Sequence, residues 1–340
     1  MTMTENTTSV PAQRNILASG FSLVCRHWRC LAWAYFFNLL FAALGTIPLM
    51  GQLSMLLNHS FYAQRIGGLL DLGAFAEAAR FLGERSSGVV TAGLTSGLLF
   101  VFVFFLFTPA ILSIYLGDEL ASAGNMFRTG FRFFWRMVRI AILFLLMGIL
   151  VLGILFAARS ALLAKLDATY VERDYFVWAA LTLIVIGMIG FFIRLWFDLA
   201  QLVVVERGVY RIGRIEDRAV RHAFGPAWRL LRAGFWKLYL SCLLTVIAGR
   251  VALVLALLVW RASSPSATLL AFILGQVGAF LLLASRLWQR GVEVEWLGRH
   301  KALAVPPVTP LIAPDVRPPA FLPPAPTPPP VPPSTVIGTA

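Results

Sequence analysis

The sequence predicts an all-α, polytopic transmembrane helical bundle, and three observations support that fold class. Hydrophobic residues make up 59% of the 340-residue chain and charged residues 13%, against about 25% charged residues in soluble domains. Six apolar stretches are each long enough to cross roughly 30 Å of hydrocarbon as a helix. They are apolar on every side, whereas barrel strands alternate polar and apolar residues. The predicted spans are residues 30–50, 92–115, 140–158, 177–199, 238–260 and 268–288.

One short pattern occurs three times, each time just before an odd-numbered span. A Phe is followed four residues later by Cys or Trp, then at once by Arg, and three residues after that by a second Arg. At about 100° per residue these side chains share less than half of a helix circumference. The pattern therefore predicts three repeated units, each an amphipathic helix in the membrane plane followed by a transmembrane hairpin. The copies are Phe21, Cys25, Arg26 and Arg29; Phe131, Trp135, Arg136 and Arg139; and Phe224, Trp228, Arg229 and Arg232.

The residues of this pattern suit the surface of a membrane. Aromatic rings favour the headgroup level, and Arg stems can lie along apolar surface while their guanidinium groups reach lipid phosphates. The alternative is that aromatic and basic residues merely flank the cytoplasmic ends of ordinary spans. On the first interpretation, the residues that bind anionic lipid are Arg26, Arg29, Trp135, Arg136, Arg139, Trp228, Arg229 and Arg232.

The distribution of charge predicts the topology and the partners. Most of the 29 Lys and Arg residues lie in the two terminal segments and in the loops after spans two and four, so both termini should be cytoplasmic. Although the net charge is +13, we expect no nucleic-acid partner. The basic residues alternate with Trp, Phe and Leu at helical spacing beside the spans, which favours membrane lipids with anionic headgroups as partners.

The chain divides into three regions by composition. Residues 1–15 form a polar cytoplasmic amino terminus, residues 16–301 form the membrane domain, and residues 302–340 form a Pro-rich, disordered cytoplasmic tail. Fourteen of the 19 prolines lie between Pro306 and Pro333, which favours an extended polyproline conformation. The tail is either a solvated spacer or a ligand for an aromatic groove on a cytosolic partner.

Polar residues inside the spans are the candidates for an intramembrane site, because ionisable groups are costly there and usually face a bundle interior. Arg250 lies about the middle of span five. Counting outward from a hairpin turn at residues 261–266 places Gln276 of span six at about the same depth. A hydrogen bond between the two is expected, and Arg250 then either binds an anion or holds the hairpin together. Arg194 and Asp198 are one turn apart near the cytoplasmic end of span four, so we expect them to pair along the helix and reach the membrane surface.

No catalytic arrangement is present in the sequence. The four histidines, His27, His59, His222 and His300, have none of the i, i+4 spacing of helical zinc sites, and no glycine loop suited to phosphates occurs. We therefore expect no enzymatic activity, no metal site and no cofactor.

Three segments resemble a known group of proteins. They are Phe21–Val24 before Arg26, the exit from span two at Leu116–Glu119, and the basic aromatic stretch Phe131–Arg139. Together they resemble uncharacterised bacterial six-span integral membrane proteins, including the membrane domain attached to some glycerophosphoryl diester phosphodiesterases. The resemblance covers roughly residues 12 to 300 and implies an integral protein of the bacterial inner membrane. The chain lacks a catalytic barrel domain, so phosphodiester hydrolysis is not implied.

Two functions remain open from the sequence. The first is a non-enzymatic scaffold or partner subunit with a basic, lipid-binding cytoplasmic face, whose further partner would be another membrane protein or a cytosolic protein at the tail. The second is a permease or lipid-handling transporter in which Arg250 contacts an anion.

Overall fold

The described part of the chain is all-α, and six of its helices are long and apolar enough to cross a membrane, which confirms the predicted fold class. The structure is a computed structural model. It describes residues 15–57, 80, 87–117, 121–167, 172–210, 220–262 and 268–304. The helices are α1 (Ile16–Arg26), α2 (Trp28–Leu57), α3 (Ser87–Gly117), α4 (Ala123–Asp167), α5 (Glu172–Tyr210), α6 (Arg221–Arg232), α7 (Phe235–Ala262), α8 (Thr268–Arg299) and α9 (Lys301–Ala304).

The six long helices form three hairpins, which pair α2 with α3, α4 with α5, and α7 with α8. The return helices α3, α5 and α8 also contact one another, so they occupy the centre of the bundle. Their carboxyl-terminal halves hold most of the buried core, whereas the other halves expose many large apolar side chains. We call the end that carries these carboxyl-terminal halves, together with α1 and α6, the basic end.

Each segment that carries the repeated pattern packs on a return helix of a neighbouring unit. Helix α1 packs on α8, the first part of α4 packs on α3, and α6 packs on α5. The pattern segment of unit one thus packs on the return helix of unit three. That of unit two packs on unit one, and that of unit three packs on unit two. This closed, ring-like order follows from three equivalent contacts, and it places all three copies of the pattern at the basic end.

A small residue precedes the Phe in every copy and allows these close contacts. A Cβ on Gly20 would lie 2.7 Å from the backbone nitrogen of Val292, and one on Gly130 would lie 2.5 Å from the backbone oxygen of Leu106. The corresponding residue of the third copy, Ala223, is buried. Because backbones approach closely only where side chains are small, this position sets how tightly each segment rests on its return helix.

The second copy departs from the predicted unit of a separate helix before each span. Copy one lies largely in α1, which ends at Arg26, and copy three lies in α6, which is followed by a turn at Ala233 and Gly234. Copy two instead lies within the unbroken 45-residue helix α4. The residues after Arg139 are Ile, Ala, Ile and Leu, without a glycine or a turn residue, so nothing interrupts the helix there.

Two predicted regions lie largely outside the described residues. The amino terminus falls there for residues 1–14, and the Pro-rich tail falls there from residue 305 onward.

Helix α8 is longer than the predicted sixth span. It continues from the predicted span end at residue 288 to Arg299, because its last turns are covered by α1 and α5 rather than by lipid.

Candidate functional site

A network of polar side chains joins α5 to α8 at the basic end. Arg290 lies at its centre: Nη2 donates to Asp198 Oδ1 at 2.8 Å and to Gln201 Oε1 at 2.9 Å. Nη1 donates to Glu293 Oε2 at 2.9 Å. The side chain of Glu293 is 0% exposed and that of Asp198 is 9% exposed. Asp198 and Gln201 are one turn apart on α5, so helical spacing presents both to the same guanidinium group.

Gln289 completes the hydrogen bonding of the two carboxylates. Its side-chain nitrogen donates to Glu293 Oε1 at 2.8 Å and to Asp198 Oδ2 at 3.2 Å. Arg194 lies on the same side of α5, with Nε 3.6 Å from Asp198 Oδ2. Each buried carboxylate therefore meets at least two donors, which is the condition for holding a charge in a protein interior. The network fastens α5 to α8.

A cavity of about 310 Å³ lies beside this network, between α2, α3 and α8. Most of its wall is aliphatic or aromatic, and the charged side chains in its described lining are those of Arg286 and Arg290. Asn38 and Thr108 add uncharged polar atoms. The remaining lining residues are Ala34, Phe37, Phe41, Phe100, Val103, Phe104, Phe107, Ile111, Ala279, Leu282, Leu283 and Leu287.

Arg286 is the charged group of this region that has no hydrogen-bonding or ionic partner among the described residues. Its guanidinium carbon lies 5.1 Å from the centre of the Phe104 ring, and it forms no hydrogen bond or ion pair with the described residues. The Arg286 side chain is exposed in the described structure, so its cation–π contact with Phe104 contributes only about 0.5–1 kcal/mol. Among the described residues, the three arginines Arg194, Arg286 and Arg290 are offset by two carboxylates, Asp198 and Glu293, so the region has a surplus of positive charge.

The structure contradicts the predicted hydrogen bond between Arg250 and Gln276. Gln276 Oε1 accepts from the hydroxyl of Tyr35 at 2.8 Å, while Arg250 is exposed and does not line the cavity. Gly249 faces Ser285, and Gly278 faces Leu253 on the same helix pair. The segment between α7 and α8 is residues 263–267, later than the assumed turn. Arg250 is therefore level with Ser285, about two helical turns from Gln276.

Arg194 and Asp198 lie together as their spacing indicates, but Asp198 is buried rather than directed to the membrane surface. The sequence interpretation missed the partners on α8: Gln289, Arg290 and Glu293. They fall after the predicted end of span six at residue 288, in the segment whose Lys and Arg residues predict the topology. Their spacing gives one helix face, and this face was the available signal that the helix continues as a buried segment.

The residues predicted to bind lipid lie at the start of the outgoing spans. Trp135 is 70% exposed and Trp228 is 40% exposed. The other six of these eight residues are arginines. Arg136 is half-buried, and its guanidinium carbon lies 5.4 Å from the centre of the Phe133 ring. The exposed basic residues are Arg26, Arg29, Arg139, Arg229 and Arg232. We call these eight residues the arginine–tryptophan belt.

Within the described residues, no group of three or more His, Cys, Asp or Glu side chains could hold a metal ion. The fold and the site define a polytopic helical membrane protein with a buried charged network and an adjoining apolar cavity. No known protein family, curated protein or solved structure matches the chain. The resemblance to the membrane domain of some glycerophosphoryl diester phosphodiesterases stays a prediction.

Proposed function

We propose that the protein is a non-enzymatic scaffold or partner subunit of the bacterial inner membrane that binds anionic lipid at its basic end. The main support is the state of the second Arg in each copy of the pattern. Arg29, Arg139 and Arg232 are all exposed, and none forms a hydrogen bond or ion pair with the described residues. Anionic headgroups supply the missing partners, at about 1 kcal/mol for each basic residue near the surface.

The exposure of the aromatic residues supports the same proposal. Phe21, Phe131 and Trp135 are between 51% and 70% exposed, which would leave large apolar rings in water if this end were solvated. At the headgroup level of a bilayer, aromatic rings are instead favoured. The belt therefore suits the boundary between hydrocarbon and water.

The side of the membrane follows from the positive charges. Segments rich in Lys and Arg tend to remain cytoplasmic, so we propose that the basic end and both termini face the cytoplasm. A reporter that matures only in the cytoplasm, such as green fluorescent protein, should fluoresce when fused to the carboxyl terminus. A fused alkaline phosphatase that is active at the same position would contradict this orientation.

Lipid binding at the belt can be measured with spin-labelled lipids. The full-length protein is reconstituted in phosphatidylcholine bilayers, and the fraction of motionally restricted phosphatidylglycerol is compared with that of phosphatidylcholine. We expect the wild type to prefer phosphatidylglycerol. In the double variant Arg139→Gln with Arg232→Gln, this preference should fall by up to roughly fivefold for each Arg removed.

The control removes two positive charges outside the belt. Arg80 and Lys165 are both exposed, and Arg80→Gln with Lys165→Gln should leave the lipid preference unchanged. If the wild type shows no preference, or if both double variants lose it equally, the belt does not bind anionic lipid.

A second candidate function is lipid handling, as in a permease or lipid transporter. The observation that favours it is the apolar cavity, in whose wall Arg286 forms no hydrogen bond or ion pair with the described residues. Arg250, the residue on which the sequence-based version of this function depended, does not line that cavity.

A further inference from the structure

We infer that the cavity between α2, α3 and α8 is a binding site for one anionic phospholipid, whose phosphate contacts Arg286 and whose acyl chain occupies the apolar part. This site goes beyond the proposed belt, because it lies between helices rather than along the surface. The belt and the cavity use different arginines, so each can fail without the other.

The charge of the site selects an anion. Arg290 is already committed to Asp198, Gln201 and Glu293, so its charge is offset within the network and it offers no free donor. Arg286 has its hydrogen-bond donors available, with the Phe104 ring as its described contact. A phosphate oxygen pairs well with a guanidinium group. The surplus positive charge also disfavours a zwitterionic lipid relative to an anionic one.

The depth of Arg286 matches the position of a lipid phosphate. It lies 18 residues after Thr268, the first residue of α8, which corresponds to about 27 Å along the helix. The hydrocarbon core is roughly 30 Å thick. A helix that enters this core near Thr268 therefore brings Arg286 to the headgroup region of the basic-end leaflet.

The apolar part of the cavity is long enough for the section of an acyl chain next to the headgroup. Along α8 the lining runs from Ala279 to Arg290 and along α3 from Phe100 to Ile111. The part on the membrane side of Arg286, from Ala279 to Arg286, is about 10 Å long. One leaflet supplies roughly 15 Å of hydrocarbon, half of the core. A small soluble anion would contact the arginine and leave the apolar part of the cavity unfilled. The apolar wall therefore favours a lipid as the occupant.

The test is a lipid titration of the full-length, delipidated protein in detergent, followed by native mass spectrometry. We expect one phosphatidylglycerol molecule to bind more tightly than the rest. Arg286→Gln should raise the dissociation constant of this first lipid roughly tenfold or more, because a charged hydrogen-bonding partner is lost. Ala279→Phe, which keeps Arg286 and fills the apolar part, should weaken the same binding event.

The matched control is Arg250→Gln. It removes the same charge from the neighbouring helix at the level of Ser285, outside the cavity lining, and should leave the first lipid in place. Arg139→Gln with Arg232→Gln should also leave it, which separates this site from the belt. Equal weakening by Arg250→Gln and Arg286→Gln would overturn the site, as would wild-type affinity in Arg286→Gln.

Two further probes identify the source of the anion. Phosphatidylcholine should not displace the first lipid, and inorganic phosphate at millimolar concentration should not compete with it. Competition by phosphate alone would show a site for a free anion and would overturn the lipid assignment. Arg286→Lys, which keeps the charge, should retain part of the affinity. If it binds no better than Arg286→Gln while both melt like the wild type, the phosphate contact is wrong.

Discussion

Arg290 and Arg286 are one helical turn apart on α8 and have opposite surroundings. Arg290 donates to three side chains that belong to two helices. Arg286 contacts an aromatic ring and has no hydrogen-bonding partner among the described residues. Arginine thus holds two helices together at position 290, whereas one turn earlier its donors remain available to a ligand. The difference is set by α5, whose Asp198 and Gln201 reach Arg290 but not Arg286.

This difference separates stability from binding within one helix. A buried charge whose partners are all in the protein contributes to holding the helices together, and removing it leaves its partners unpaired. A charge without protein partners contributes little to cohesion, so its removal should change what the protein binds rather than how well it folds. Three substitutions on α8 test this separation.

The largest effect is expected for Arg290→Met. The substitution leaves Glu293 buried without its cation and Asp198 with only the longer pair to Arg194, and breaking a buried pair in this way costs about 3–5 kcal/mol. The free energy of unfolding, measured by titration with denaturing detergent, should fall by this amount. The control is Arg299→Met, whose ion pair with Glu295 is partly exposed, with side chains 32% and 37% exposed, and which should cost much less. Equal effects would mean that the network does not hold α5 to α8.

A smaller effect is expected for Gln289→Leu. The change keeps the size of the side chain but removes a donor to both buried carboxylates, which costs about 1–3 kcal/mol for polar groups left unsatisfied. Gln276→Leu is the matched control. Its lost partner, the hydroxyl of Tyr35, belongs to a half-buried residue, so the same measurement should show a loss of about 1 kcal/mol or less. A larger loss for Gln276→Leu would contradict the central position of Gln289.

The fold class was predictable from sequence, because hydropathy alone reports six segments that suit lipid. The network was not, for a physical reason visible in α8. Its last turns are buried by protein rather than by lipid, so Arg290 and Glu293 can be charged there, and hydropathy therefore ends the span early. Asp198 was identified through its neighbour Arg194 on the same helix. Its strongest partner, Arg290, is 92 residues away along the chain, and no local pattern connects them.

The relation between Arg250 and Gln276 failed for a related reason. Residues at equal depth in the two helices of a hairpin are found by counting outward from the centre of the turn. If that centre moves by a few residues, the residue opposite a given position moves by twice as many. Gly249 opposite Ser285 and Gly278 opposite Leu253 fix the real register. Close contacts of small residues thus determine which polar groups share a depth, and such contacts depend on how two helices pack.

The smallest effect on stability is expected for Arg286→Gln. Since the guanidinium group has no hydrogen bond or ion pair to lose among the described residues, the free energy of unfolding of the delipidated protein should change by no more than about 0.5 kcal/mol, as for substitutions away from buried networks. Saturating phosphatidylglycerol should then stabilise the wild type more than the variant, because a ligand stabilises only the state that binds it. A loss in the lipid-free protein comparable to that of Arg290→Met would show that Arg286 also belongs to the network. In that case the two arginines would differ in exposure but not in role, and the separation of cohesion from binding along α8 would not hold.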